Sequence, residues 1–228
     1  MQKINYQKEL DALINNIKQD EKKPSLLLHA CCAPCSSYTI EYLSQFFEIT
    51  IFYYNPNIYP KEEYERRLEE LKNFLPRFDV ALKNNIKLVV QSYLPKEFFD
   101  AIQINLFPEE AEEKEKGERC RKCYKFRLEK SFEYAKENNF DYFCTTLSIS
   151  PFKDAEKINR IGKELSSEKT KWLPSDFKKN SGFKRSLELS RKYSLYRQDY
   201  CGCVYSMKNS MQKKSGFMIE TTSPLIIF

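Results

Sequence analysis

Apolar and polar positions follow two rhythms along this chain, and their order is the first guide to its fold. Ser25-Leu-Leu-Leu-His29 is a short apolar run that reads as a buried strand, and Glu48-Ile-Thr-Ile-Phe-Tyr-Tyr54 reads as a second. Lys87-Leu-Val-Val-Gln91 and Asp141-Tyr-Phe-Cys-Thr-Thr146 supply a third and a fourth. Between them the period lengthens to that of helices. A polar helix is expected over 6–18, another over 34–46 with Tyr38, Tyr42, Leu43 and Phe46 on one face, and another over 121–138. A charged helical stretch starts at Pro60 and is interrupted near Pro76. Pro34 suits the first turn of its helix, and Asn55-Pro56-Asn57 reads as a turn. Further helices are expected over 153–166 and 182–193, the latter ahead of a Cys201-Gly202-Cys203 turn. Residues 207–228 are expected as a weakly structured tail despite their apolar Pro224-Leu-Ile-Ile-Phe228 ending.

This alternation predicts the α/β class, with one domain over residues 1–206 built on a mainly parallel sheet covered by helices on both faces. The active site then belongs outside the carboxyl ends of the strands, where Cys31 and Thr145 would lie. A length of 228 residues fits one such domain. No apolar run reaches the roughly 18–20 residues that cross a bilayer. The opening Met1-Gln-Lys-Ile-Asn-Tyr lacks a secretory pattern, so a cytoplasmic location without a membrane partner is expected.

A reducing location changes how the eight cysteines read, because clustered thiols there are metal ligands or redox groups more often than structural disulfides. Cys31, Cys32 and Cys35 share one loop, Cys120 and Cys123 form a pair, Cys201 and Cys203 another, and Cys144 stands alone. Three groups suggest one composite site. The loop joins a strand end to a helix start, where the helix dipole favours thiolate over thiol. The two-residue spacing of Cys120 and Cys123 lets both sulfurs face one metal centre. Together they supply five sulfur ligands, one more than a tetrahedral zinc site needs, which favours an iron–sulfur cluster. Cys201 and Cys203 either form a readily reduced, strained disulfide that shuttles electrons, or only pack and add ligands. Cys144 reads as a buried small hydrophobe. The single histidine, His29, reads as a packing or supporting residue, and with one histidine a Cys₂His₂ finger or a His-based hydrolytic triad is hard to build from this chain.

Net charge is +6, a weak pointer to an anionic partner. Its distribution says more. Lys178, Lys179, Lys184, Arg185, Arg191, Lys192 and Arg197 stand against one acid, Glu188, and are interspersed with Phe183, Tyr193 and Tyr196. Cations with aromatics suit the phosphates and unstacked bases of a single-stranded RNA loop.

The motifs His29-Ala-Cys-Cys-Ala-Pro-Cys35, Tyr54-Asn-Pro-Asn57, Gly117-Glu-Arg-Cys-Arg-Lys-Cys-Tyr124 with Arg127-Leu128, Thr145-Thr-Leu-Ser-Ile-Ser-Pro151, Ser175-Asp-Phe-Lys-Lys179 and Tyr196-Arg-Gln-Asp-Tyr-Cys-Gly-Cys203 resemble the QueH epoxyqueuosine reductases across about residues 24–206. The resemblance implies an adenine-nucleotide alpha hydrolase-like (HUP) fold in which the cysteine loop replaces the ATP-gripping loop. It implies a cobalamin-independent reduction of epoxyqueuosine at the wobble position of tRNA, with a 4Fe-4S cluster, an additional iron ion and an external electron donor. Cys120, Cys123 and one of Cys31 or Cys32 are the preferred cluster ligands, and the remaining loop thiols would hold the extra iron. Its carboxylate ligand would be Asp176 or Asp199, or Cys35 stands in that place. Where the family tends to carry Asp-Tyr-Asp, this chain has Ser92-Tyr93-Leu94. The competing readings are an iron–sulfur tRNA-thiolating enzyme, for which the ATP loop is missing, a zinc-stabilised RNA-binding module, which leaves cysteines unexplained, and a general thiol oxidoreductase.

Overall fold

Residues 4–19 and 22–220 are described by a computed structural model. Its elements run α1 (Tyr6–Ile17), β1 (Ser25–His29), α2 (Ala33–Leu43), β2 (Glu48–Tyr53), α3 (Lys61–Phe74), α4 (Asp79–Lys83), β3 (Lys87–Val90) and α5 (Pro95–Ile102). They continue with α6 (Glu118–Glu137), β4 (Tyr142–Thr145), α7 (Ala155–Leu165), β5 (Lys171–Trp172), α8 (Gly182–Lys192) and α9 (Val204–Glu220). The five strands form one sheet in the order β3-β2-β1-β4-β5, and every pairing is parallel. The expected α/β architecture is therefore the observed one.

Strand alternation sorts the apolar side chains into two layers. Leu26 and Leu28 of β1, with Ile49 and Ile51 of β2, pack on Leu10 and Ile14 of α1, Ile40 and Leu43 of α2 and Leu189 of α8. Leu27, Phe52, Phe143 and Trp172 turn to the opposite face and meet Leu128 of α6 with Ile158 and Ile161 of α7. Each fully buried Leu, Ile or Phe contributes about 1.5–3 kcal/mol, so both faces are sealed by the hydrophobic effect. In this strand order the chain reverses direction across the sheet between β1 and β4, which is where ligands bind in open α/β folds.

Several boundaries differ from the sequence reading. Helix α6 begins at Glu118, after Gly117 as its N-cap, so Cys120, Cys123, Tyr124 and Arg127 all lie on one helical face. Strand β5 is only two residues long and was not legible by alternation, and α5 was not anticipated. The expected tail is helical in its first part, because α9 runs through residues 207–220. The Pro224–Phe228 ending lies outside the described residues. Among the described residues no helix is long and apolar enough to cross a membrane.

Candidate metal centre and active site

The chain after β1 leaves the sheet at its carboxyl end and enters α2 through the cysteine loop. Cys32 is the N-cap of α2: its Sγ accepts from the Cys35 backbone N–H at 3.4 Å, and Pro34 occupies the first turn. The Sγ atoms of Cys31, Cys32 and Cys35 lie within 4.8 Å of one another, a spacing at which the three could hold a metal ion. Cys31 and Cys32 Sγ are 3.8 Å apart. Gln198 Nε2 donates to Cys32 Sγ at 3.1 Å, bringing the far end of the chain onto the loop.

The loop favours one thiolate, not three. Hydrogen bonds from Cys32 and Cys35, aided by Arg127 and Arg67, hold the Cys31 thiol well below its usual range. The same hydrogen bond pushes Cys32 up to about 12, and hydrogen bonding to both neighbours raises Cys35 well above its ordinary value. Hydrogen bonding within the loop, with burial adding to it, concentrates the charge on Cys31.

The second group gathers opposite. Cys120 and Cys123 are each 8% exposed, and burial raises both, Cys123 to about 11. Cys201 is held well below its ordinary range by a hydrogen bond from Cys203 and by the Lys153 ammonium, whose Nζ donates to Cys201 Sγ at 2.8 Å. Burial works against the charge on Lys153, yet the Cys201 thiolate outweighs it and keeps the ammonium charged. Cys203 is raised well above its ordinary value by the bond to Cys201. Arg127, 1% exposed, stands between the groups: it feels the charges of Cys123, Cys31 and Cys201, and its guanidinium donates to Asn55 Oδ1 at 2.6 Å. Asn55 in turn donates to the Ala30 carbonyl at 2.8 Å, tying the β2 turn to the start of the cysteine loop. Among the described residues the thiols close enough to share one ion are those of Cys31, Cys32 and Cys35; Cys120, Cys123, Cys201 and Cys203 do not join that triad, and the buried Arg127 connects it electrostatically to Cys123 and Cys201.

Beneath them, His29 Nε2–H donates to the Tyr54 carbonyl at 3.1 Å and Nδ1 accepts from the Thr145 hydroxyl at 2.8 Å. Burial lowers its pKa to about 3, so it stays neutral and links three strands, a supporting role. Cys144 is buried against Leu173 and Ser175, apart from the other thiols. The turn of Gly202 (φ +129) packs so closely that a Cβ there would meet Arg67 Nη1 and Ile58 Cγ1, each at 3.1 Å. Arg67 holds that turn by donating to the Cys201 carbonyl at 3.1 Å.

Neither carboxylate candidate joins the sulfur triad. Asp176 is engaged by Lys178 at 2.5 Å, and Asp199 is exposed two residues before Cys201. The basic segment is divided. Lys179, Lys184, Arg191 and Lys192 are exposed without a carboxylate partner among the described residues, whereas Arg185 is clamped by Glu41 and Glu188. Arg197 donates to Ser190 Oγ at 3.1 Å. Tyr193 packs edge-on against Phe74 and Phe78, and Tyr196 carries Arg66 stacked at 3.4 Å. Sequence reasoning assigned no role to Arg67, Arg127, Lys153 or Gln198. The available signal was the 3–4 spacing that places Arg127 on the face of Cys120 and Cys123.

The family model described as "Epoxyqueuosine reductase QueH" matches residues 26–209. A Streptococcus pyogenes protein named Epoxyqueuosine reductase QueH is 43% identical over 208 residues, covering 91% of this chain and 80% of that protein. Proteins of the same name from Staphylococcus aureus and Thermotoga maritima are 41% identical over 206 residues (90% and 85% covered) and 30% identical over 193 residues (83% and 93% covered). With motifs, fold and thiol geometry in agreement, the chain belongs to the QueH epoxyqueuosine reductase family of oxidoreductases.

Proposed function

We propose that this protein reduces the epoxide of epoxyqueuosine in tRNA to the alkene of queuosine, using a 4Fe-4S cluster and an adjacent iron held by its converging thiols. The reaction breaks both C–O bonds of the epoxide, forms a carbon–carbon double bond, releases the oxygen as water, and consumes two electrons and two protons. The observation that carries the reading is the Cys31–Cys32–Cys35 triad, related through the buried Arg127 to Cys123 and Cys201, with the buried Lys153 donating to Cys201. Thiolate-bound iron–sulfur groups are anionic, and buried cations that face thiols, as Arg127 and Lys153 do, fit such a group. When bound, this group supplies electrons singly and a Lewis acid for the epoxide oxygen.

The chain's own residues prepare the site. Cys120, Cys123 and Cys31 are our cluster ligands, with Cys32 and Cys35 for the second iron. Gln198 orients Cys32, and Arg127 fixes the distance between the two sulfur groups through Asn55. Cys201 and Cys203 serve as a relay: oxidation of the Cys201 thiolate and the Cys203 thiol to a disulfide releases the two electrons the epoxide needs and one proton, and solvent supplies the second proton. An external low-potential thiol or one-electron donor then restores the dithiol. Lys153 favours that chemistry by holding Cys201 as thiolate. The exposed cations Lys179, Lys184, Arg191 and Lys192 receive tRNA phosphates, with Lys178, Arg185, Tyr196 and Arg197 lining the same surface.

The test is anaerobic purification with iron and sulfide analysis and an absorption spectrum, followed by reaction with tRNA carrying epoxyqueuosine. Brown protein with more than one cluster's iron, converting the tRNA, is expected. A colourless zinc protein that leaves the tRNA unchanged would end the proposal.

A further inference from the structure

The Tyr124 hydroxyl is buried and has no hydrogen-bond partner among the described residues. Its residue is only 2% exposed, and buried tyrosine hydroxyls usually find a partner. A phenylalanine here would fill the same apolar space without leaving a polar atom unpaired, so the fold does not explain the oxygen. The ring packs in the cluster that holds Cys31, Cys32, Cys120 and Tyr54. It stands on α6 between Cys120, Cys123 and Arg127, all on one helical face. The charges acting on the hydroxyl are those of Lys153 and of Cys120, Cys201 and Cys123. A phenol is protonated at neutral pH, so the oxygen is a donor.

A donor without a partner among the described residues, set beside clustered thiols and a buried ammonium, suits an oxygen gaining negative charge. Sulfur is a weak acceptor, whereas an oxygen leaving carbon is a strong one. We infer that the Tyr124 hydroxyl donates a hydrogen bond to the epoxide oxygen of the substrate as its C–O bonds break, with Lys153 adding positive charge behind it. The inference rests on the function proposed above and names a residue that touches the reacting atom.

Tyr124→Phe in the full-length, iron-loaded protein tests it. Iron and sulfide content, the electron paramagnetic resonance spectrum of the reduced protein and tRNA affinity should match wild type. The thermal midpoint of the metal-free variant should be equal or higher, since no protein partner is lost. Single-turnover deoxygenation with dithionite as the electron source should slow about a hundredfold, the loss typical of one donor to a developing oxyanion. A wild-type rate overturns the inference. A slower rate accompanied by a changed resonance spectrum overturns it too, because the hydroxyl would then be serving a cluster sulfur. A lowered midpoint would make the residue structural. Wild-type protein that fails to convert the tRNA would instead refute the proposed function, and the two failures are distinct.

Discussion

Arg67 offers the sharpest test of how the Cys201–Cys203 turn is held. Its side chain is fully buried; Nε donates to Glu63 Oε1 at 2.6 Å, and the guanidinium donates to the carbonyls of Cys201 at 3.1 Å and Tyr200 at 3.5 Å. Arg67→Met keeps the bulk of the stem but removes the charge and all three bonds. Glu63, 10% exposed, loses its cation and retains the Tyr196 hydroxyl at 3.1 Å. Breaking a buried ion pair costs about 3–5 kcal/mol, and the retained hydroxyl argues for the lower end. In a chain of this size each kcal/mol shifts the midpoint by about 2–4 °C, so a fall of about 6–12 °C is expected. Thermal unfolding of the metal-free protein followed by circular dichroism measures it, and faster maleimide labelling of Cys201 should accompany it. Adding Glu63→Gln should recover part of the loss, because the orphaned carboxylate is then neutral. A midpoint within about 2 °C of wild type, where under 1 kcal/mol is at stake, would refute the reasoning.

Other predictions address the site and its surroundings. Cys123→Ser should lower iron content and remove most visible absorbance, while Cys144→Ser should leave both unchanged; equal spectra for the two would move the cluster off α6. The folded state keeps His29 neutral down to about pH 3, whereas the unfolded chain protonates it near 6.5, so the unfolded state binds more protons in between. Stability of the metal-free protein should therefore fall as pH drops through that window, by about 2 kcal/mol at about pH 5, and urea unfolding of His29→Gln should show a flatter profile. Replacing Lys179, Lys184 and Lys192 together by Gln should reduce the log–log salt slope of tRNA binding by about 2–2.7, at about 0.7–0.9 per phosphate contact. An unchanged slope places the phosphates on another face.

The sheet was legible because four of its strands are apolar runs bounded by turns, while Lys171-Trp172 is too short for any periodicity to register. Helix α5 escaped because only Phe98 and Ile102 of it are deeply buried. Cysteine clustering announced the site, and its position after β1 followed from the strand-to-helix rhythm. What the chain does not advertise is the set of buried cations. Arg67 and Lys153 sit in stretches that read as charged solvent-facing helix or loop, and only the fold shows each facing a sulfur group or its backbone. Basic residues 178–197 misled in part for the opposite reason: Arg185 reads as an available cation, but Glu41, distant in sequence, occupies it.

The clustered cysteines come from three stretches separated by most of the chain: residues 31–35, 120–123 and 201–203. Arg119 stacks under Tyr205 of α9, so even the last helix docks on the start of α6. During synthesis, then, the loop after β1 emerges long before its partners, and a nascent chain can offer metal only three thiols. All seven of these thiols are present only after residue 203 has been added, so a product that stops earlier lacks the Cys201–Cys203 turn.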